Sequence, residues 1–247
     1  MNELLLIASV IVIYGVALLS YKLFGKSGLY CVSVIATVLA NVEVIILIKA
    51  FGMEQTLGNV LFAVTFLITD ILSECEGKKS ANKAVLLGIF SQVFFLILSQ
   101  SWLLYKPSSG DTAMASIKAV FSGTPRIILA SLAVYAVSQI FDVWLYHKWW
   151  AFTEKKFGDK RKYLWLRNNG STLVSQILNT LLFTVIAFAG TYDVKTLLSI
   201  FGSSYLIYFV TTLLDTPVLY LAREVAEKRE HKQKINYEIQ EETEVSK

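Results

Sequence analysis

FAVTFLITDILSECEGKK, residues Phe62 to Lys79, begins as an apolar helix and ends in a run of charge. Asp70 and Glu74 are four residues apart and so share one helical face, and Asp70 lies inside the apolar run. An aspartate near the centre of a membrane helix costs about 2.5–3.5 kcal/mol on insertion scales. The reading of this stretch therefore depends on the solvent around it. The chain of 247 residues is 55% hydrophobic and 17% charged, with mean hydropathy +0.55. That is too apolar for a typical soluble domain. Apolar segments recur at 3–24, 28–51, 57–74, 84–105, 120–147, 169–191 and 197–222, each near the length of about 20 residues that spans a bilayer core. The expected fold class is an all-α polytopic membrane protein with about seven transmembrane helices, six being the alternative count. A single bundle fills residues 1–223, leaving no length for a separate soluble domain.

The first segment carries Glu3 where a signal peptide has positive charge, and no A-x-A cleavage site follows it. It reads as a retained helix whose positive flank, Lys22 and Lys26, lies at its far end. With the N-terminus outside, the inner loops hold Lys22, Lys26, Lys78, Lys79, Lys83, Lys148, Lys155, Lys156, Lys160, Arg161, Lys162 and Arg167. The tail adds Arg223, Lys228, Arg229, Lys232, Lys234 and Lys247, so eighteen of the 23 basic residues fall inside. This is the asymmetry of the positive-inside rule. It places the N-terminus outside and the C-terminus in the cytoplasm, and it makes the net charge of +4 a topology signal with no nucleic-acid partner implied.

The connection at 148–168 is basic and aromatic, with Phe157-Gly158-Asp159 as the expected turn and Trp149, Trp150 and Trp165 as anchors at headgroup level. Residues 224–247 form a charged cytoplasmic tail, expected to start helical and then fray. Two cysteines, Cys31 and Cys75, suggest neither a disulfide framework nor a C-x-x-C site. Two histidines, His147 and His231, leave a metal site short of ligands. No cofactor is expected.

Polar residues fall in helical stripes. The fifth segment carries Ser131, Tyr135, Ser138, Gln139 and Asp142, and the sixth Asn168, Thr172, Gln176 and Asn179. The seventh carries Ser204, Tyr208, Thr211, Thr212 and Asp215, and the second Ser33, Thr37 and Asn41. The hydroxyls read as helix–helix contacts of about 1 kcal/mol each. The carboxylates call for more. Topology places Asp70, Asp142 and Asp215 at one depth in the inner half of the bilayer, beside a polar cavity reaching from the midplane to the cytoplasmic side. It places Glu74 and Glu76 at the water line, where charge costs little. Arg126 lies about 24 Å above Asp142 by helical rise, too far to pair with it. Pro217 follows Asp215-Thr216, frees a carbonyl and is expected to kink its helix.

Three runs then become distinctive as a set. FAVTFLITDILSECEGKKSANKAV with Asn41 upstream, PRIILASLAVYAVSQIFDVWLYHK, and LWLRNNGSTLVSQILNTLLFTVIAFAG together resemble the queuosine precursor transporter family, a bacterial vitamin-uptake-transporter-like group. The resemblance spans about residues 35 to 220. It implies a multi-pass protein of the bacterial cell (inner) membrane that imports deazaguanine bases such as preQ0, preQ1 or queuine for tRNA queuosine salvage. The family pattern has aspartate before threonine in the sixth helix, where this chain has Asn179-Thr180. A deazaguanine presents a ring N–H and an amine beside a carbonyl on a flat body. The substrate-binding candidates are accordingly Asn41, Phe66, Asp70, Arg126, Gln139, Asp142, Gln176, Asn179 and Asp215, with Tyr135, Phe183 and Tyr208 as further platforms.

An enzyme is not expected, because no helix interior carries a histidine beside a serine and no G-x-G-D pair is present. No G-x-x-x-x-G-K-[ST] loop is present either, so the chain is not itself an ATPase. The alternative is a substrate-binding subunit of a multicomponent ATP-driven vitamin importer. The expected partners are a nucleobase and the lipid bilayer, with a homodimer or an energising partner left open.

Overall fold

The computed structural model of the chain describes residues 1–122, 125–158 and 162–245. Eight helices and one hairpin follow in the order α1 (Asn2–Phe24), α2 (Lys26–Glu43), β1 (Leu47–Ala50), β2 (Met53–Thr56), α3 (Gly58–Cys75), α4 (Lys78–Trp102), α5 (Met114–Phe121), α6 (Pro125–Phe157), α7 (Leu164–Phe188) and α8 (Val194–Val245). Among the described residues, α1, α3, α4, α6, α7 and the Val194–Arg229 part of α8 are long and apolar enough to cross a membrane. Helix α2 joins them as the seventh long helix. At about 1.5 Å per residue its 18 residues reach about 27 Å, and it packs against α1, α3 and α4. This is an all-α polytopic membrane protein.

Lys78 and Lys79 open α4, and residues 62–75 lie in α3, the axis of the bundle. Fifteen of its eighteen residues are buried, and it touches α1, α2, α4, α6 and α8. A helix apolar all round is stable only where every face is covered. Here neighbouring helices cover it, so Asp70 points into protein. Helix α1 is the opposite case. Only its stripe Leu6, Val10, Tyr14, Ala17 and Tyr21 is buried, and Leu4, Ile11, Val12 and Leu19 remain exposed, as suits a lipid-facing helix.

The second span ends earlier than expected. Residues 45–51 do not extend α2, because the chain turns after Glu43 into an antiparallel hairpin with Leu47 opposite Thr56 and Ala50 opposite Met53. Phe51 and Gly52 both take positive φ, 51° and 76°. The two-residue turn that matches the right-handed twist of a hairpin needs that conformation at both positions. The hairpin is tied to the start of α1: Asn2 Nδ2 donates to the Lys49 carbonyl at 2.8 Å, and Phe51 N–H donates to Glu3 Oε1 at 3.2 Å.

The fifth expected span also divides, into the short α5 and a separate α6 that opens at Pro125, a residue well suited to a first helical turn. Most of 148–168 is helical, as the end of α6 and the start of α7. Asp159 of the expected turn lies outside the described residues. Helix α8 runs through Pro217 and on to Val245, so the charged segment after Glu224 is helical well beyond its start.

Candidate functional site

Asn59, Phe62, Phe66, Asp70 and Ser73 lie at offsets 0, 3, 7, 11 and 14 along α3, one face of the helix. The site is built in layers along that face. At the α4 end, Glu74 is enclosed, its side chain only 4% exposed. Arg167 Nη2 from α7 donates to both its oxygens at 2.9 Å, and Tyr146 from α6 donates to Oε2 at 2.7 Å. Arg223 from α8 reaches Oε1 at 3.4 Å. The Arg167 guanidinium lies 4.5 Å from the Trp150 ring centroid, and its Nη1 donates to the Lys162 carbonyl at 2.9 Å. Glu74 is therefore not at the water line. Helical depth alone suggested that position, but the N-terminal turn of α7 folds over the end of α3 and encloses it. The network joins α3, α6, α7 and α8 and seals this end of the bundle.

One turn deeper, Asp70 and Asp142 are fully buried and Asp215 is 1% exposed. Asp70 and Asp142 face each other across α3 and α6, with Asp215 of α8 close by. Thr172 Oγ1 donates to Asp70 Oδ2 at 2.9 Å. Asp70 Oδ1, both oxygens of Asp142 and Asp215 Oδ1 accept no hydrogen bond. The three acids share one layer, as their positions along the helices suggested.

Above them, Gln139 clamps α6 to α3, donating from Nε2 to Thr65 Oγ1 at 2.7 Å and accepting from Thr69 Oγ1 at 3.1 Å. Phe66 is fully buried beside Phe62, whose ring also meets Tyr135 and Tyr208 at centroid distances of 5.9 and 6.3 Å.

At the hairpin end a cavity of about 50 Å³ is lined by Asn59, Phe62, Asn179, Thr184 and Tyr208, among others. It adjoins a vestibule of about 580 Å³ bounded by the hairpin, Tyr192 and the first turns of α8. The two share Val44, Thr56, Phe188, Ile200 and Ser204. Tyr208 and Thr56 hydroxyls both donate to Asn59 Oδ1, at 3.2 and 3.1 Å. The buried Nδ2 of Asn59 has no partner, nor has Thr184 Oγ1. Ser138 Oγ donates to Asn179 Oδ1 at 3.4 Å, and Asn179 Nδ2 donates to Gln176 Oε1 at 3.1 Å.

Of the nine candidates read from sequence, Asn179 lines this cavity. Gln176 holds it from behind, while Phe66 and Gln139 sit one layer below. Asn41 is buried and donates to the Thr37 carbonyl at 2.8 Å, leaving Oδ1 unpartnered. Asp70, Asp142 and Asp215 lie beneath the cavity floor. Arg126 lies elsewhere: it is exposed and caps α7, donating to the Ile186 and Ala189 carbonyls at 2.8 and 2.7 Å. The cavity beside the site opens toward the hairpin rather than toward the Glu74 end, because the Glu74–Arg167 network closes that exit. Asn59 was missed, although it begins the stripe that contains Asp70.

Residues 56–222 match the family described as "Putative vitamin uptake transporter". A Bacillus subtilis (strain 168) protein named "Probable queuosine precursor transporter" is 38% identical over 215 residues, covering 87% of this chain and 92% of that one. No solved structure matches the chain. The bundle is thus that of a membrane transporter, and the chain belongs to the vitamin uptake transporter family. It is a multi-pass protein of the bacterial cell membrane.

Proposed function

We propose that this chain is a carrier, not an enzyme, that imports queuosine precursors, deazaguanine bases, across the bacterial cell membrane. The observation that carries this reading is the 38% identity, over nearly the whole length, to a relative named for such transport. The cavity chemistry supports it. A deazaguanine edge offers two N–H donors and a carbonyl. Asn179 Oδ1 and the unpartnered Thr184 Oγ1 offer acceptors, the unpartnered Asn59 Nδ2 is a donor for the carbonyl, and Phe62 and Tyr208 line the same cavity. A buried donor without a partner costs about 1–3 kcal/mol, and a ligand carbonyl would remove that cost.

The vestibule, at about 580 Å³, lies in the range of about 300–1,000 Å³ typical of small-molecule sites. The inner cavity is smaller than a bicyclic base, so the base enters as Phe62 and Tyr208 give way. With the hairpin outside and the Glu74 end in the cytoplasm, the vestibule faces the substrate source while the far end stays shut. The clustering of Lys22, Lys26, Lys78, Lys79, Lys83, Arg167, Arg223 and Lys228 toward the Glu74 end supports this orientation.

The purified chain in liposomes, with no other protein, is expected to take up radiolabelled preQ0 saturably. Absence of uptake until an ATP-hydrolysing partner is added would overturn autonomous transport.

A further inference from the structure

The acid layer does not line the inner cavity, and burying carboxylates in a membrane bundle is costly. Asp70 and Asp142 are each fully buried and lie within reach of each other across α3 and α6. Among the described residues no ion pair joins either to a cation; the nearby Arg167 and Arg223 both engage Glu74. The available donors are few. Thr172 donates to Asp70 Oδ2, while Ser175, beside Asp142, donates its hydroxyl proton to the Ser171 carbonyl at 2.8 Å. Three of the pair's four oxygens therefore accept nothing. Two adjacent carboxylates in a low-dielectric interior cannot both stay charged. With one proton between them, the O–H of one acid satisfies an orphaned oxygen of the other.

A second layer points the same way. Ser73 Oγ and Asn168 Oδ1, both buried and unpartnered, lie one helical turn from Asp70 and Thr172 on the same faces. They lead from the acids toward the sealed Glu74 end. The other titratable groups facing the layer are Tyr14 of α1 beside Asp215, Tyr146 of α6, Glu74 of α3, Arg167 of α7 and Arg223 of α8. The buried faces of α2 and α4 add none. A single proton is enough to engage an orphaned oxygen of each acid of the pair.

We propose that Asp70 and Asp142 hold one transported proton between them and that base import is coupled to proton entry. This rests on the transport reading above. The proton reaches the pair while the vestibule end is open, and it leaves past Asn168 and Ser73 once the Glu74–Arg167 contact parts. With the shared proton the pair carries a single negative charge and the helices close around the base; without it the two like charges repel and the layer loosens.

The test has two arms on the full chain. Infrared difference spectra of purified protein in H₂O and D₂O are expected to show the C=O stretch of a protonated carboxyl at neutral pH, lost in Asp142→Asn. Absence of that band in the wild type overturns the shared proton, whatever the protein transports. In liposomes holding a pH-sensitive dye, with membrane potential clamped at zero, preQ0 entry is expected to acidify the lumen. One proton per neutral base raises the accumulation limit about tenfold per imposed pH unit, the free energy of one decade of concentration. Base entry without acidification and without response to the gradient overturns coupling but leaves the transport reading intact. No base entry at any pH removes both the transport reading and the coupling, while the infrared band still decides the proton site. Wild-type preQ0 binding is expected to weaken as pH rises, and Asp142→Asn binding to be pH-independent. If that variant does not fold, Asp70→Asn and the two wild-type readouts decide.

Discussion

Asn59 and Glu74 show how one helical face can carry two unrelated tasks. Asn59 presents an unpartnered amide N–H to the inner cavity, so Asn59→Ala removes that donor together with the oxygen that accepts from Tyr208 and Thr56. We expect affinity for preQ0 to fall about fivefold to thirtyfold, the equivalent of about 1–2 kcal/mol for one hydrogen bond, and the melting temperature to fall as well, because the Tyr208 and Thr56 hydroxyls lose their shared acceptor. Equal affinity in a titration of the two proteins would exclude Asn59 from the site. Glu74 bears on stability alone. Its loss in Glu74→Ala strands the fully buried Arg167 guanidinium, and breaking such a pair costs about 3–5 kcal/mol. The variant should melt well below wild type in detergent, and Glu74→Gln, which still accepts from Arg167 and Tyr146, should melt in between. The sequence disclosed that Asp70 and Glu74 share a face, but not that Arg167, ninety-three positions later, would cover one of them. A contact between distant chain segments leaves no periodic trace.

Among the elements, α3 was the most legible and the hairpin the least. A helix apolar on every side can only be central, and α3 is. The hairpin was read as helix because Ile45, Ile46, Leu47 and Ile48 continue an apolar run, and periodicity does not separate a short buried strand from a helix end. Phe51-Gly52 was the available turn signal. The contact between α4 and α6 depends on Gly88, where a Cβ would come within 2.0 Å of Tyr135 Oη. Gly88→Ala should therefore cost about 1–3 kcal/mol of overpacking, seen as a lower melting temperature. Adding Tyr135→Phe removes the clashing oxygen and should recover part of the loss. A double variant no more stable than Gly88→Ala would place the cost elsewhere.

For the whole molecule, orientation determines the direction of transport. In a background with Cys31 and Cys75 replaced by serine, Glu54→Cys in the hairpin should react with an impermeant maleimide added to intact cells. Lys228→Cys in α8 should react only after the membrane is opened. The reverse pattern would make the vestibule a cytoplasmic mouth and the protein an exporter in this state. The sequence by itself determined the solvent, the helical class, the number of long helices to within one, and the shared depth of Asp70, Asp142 and Asp215. Hydropathy and helical spacing are local properties, fixed by side-chain transfer energies and by 3.6 residues per turn. Only the tertiary structure decided which end of the bundle is open, that Glu74 is sealed by Arg167, that Arg126 caps a helix, and that Asn59 meets Tyr208 and shares a cavity with Asn179. Those facts depend on how helices distant in sequence pack against one another, and packing is set by the shapes of facing surfaces.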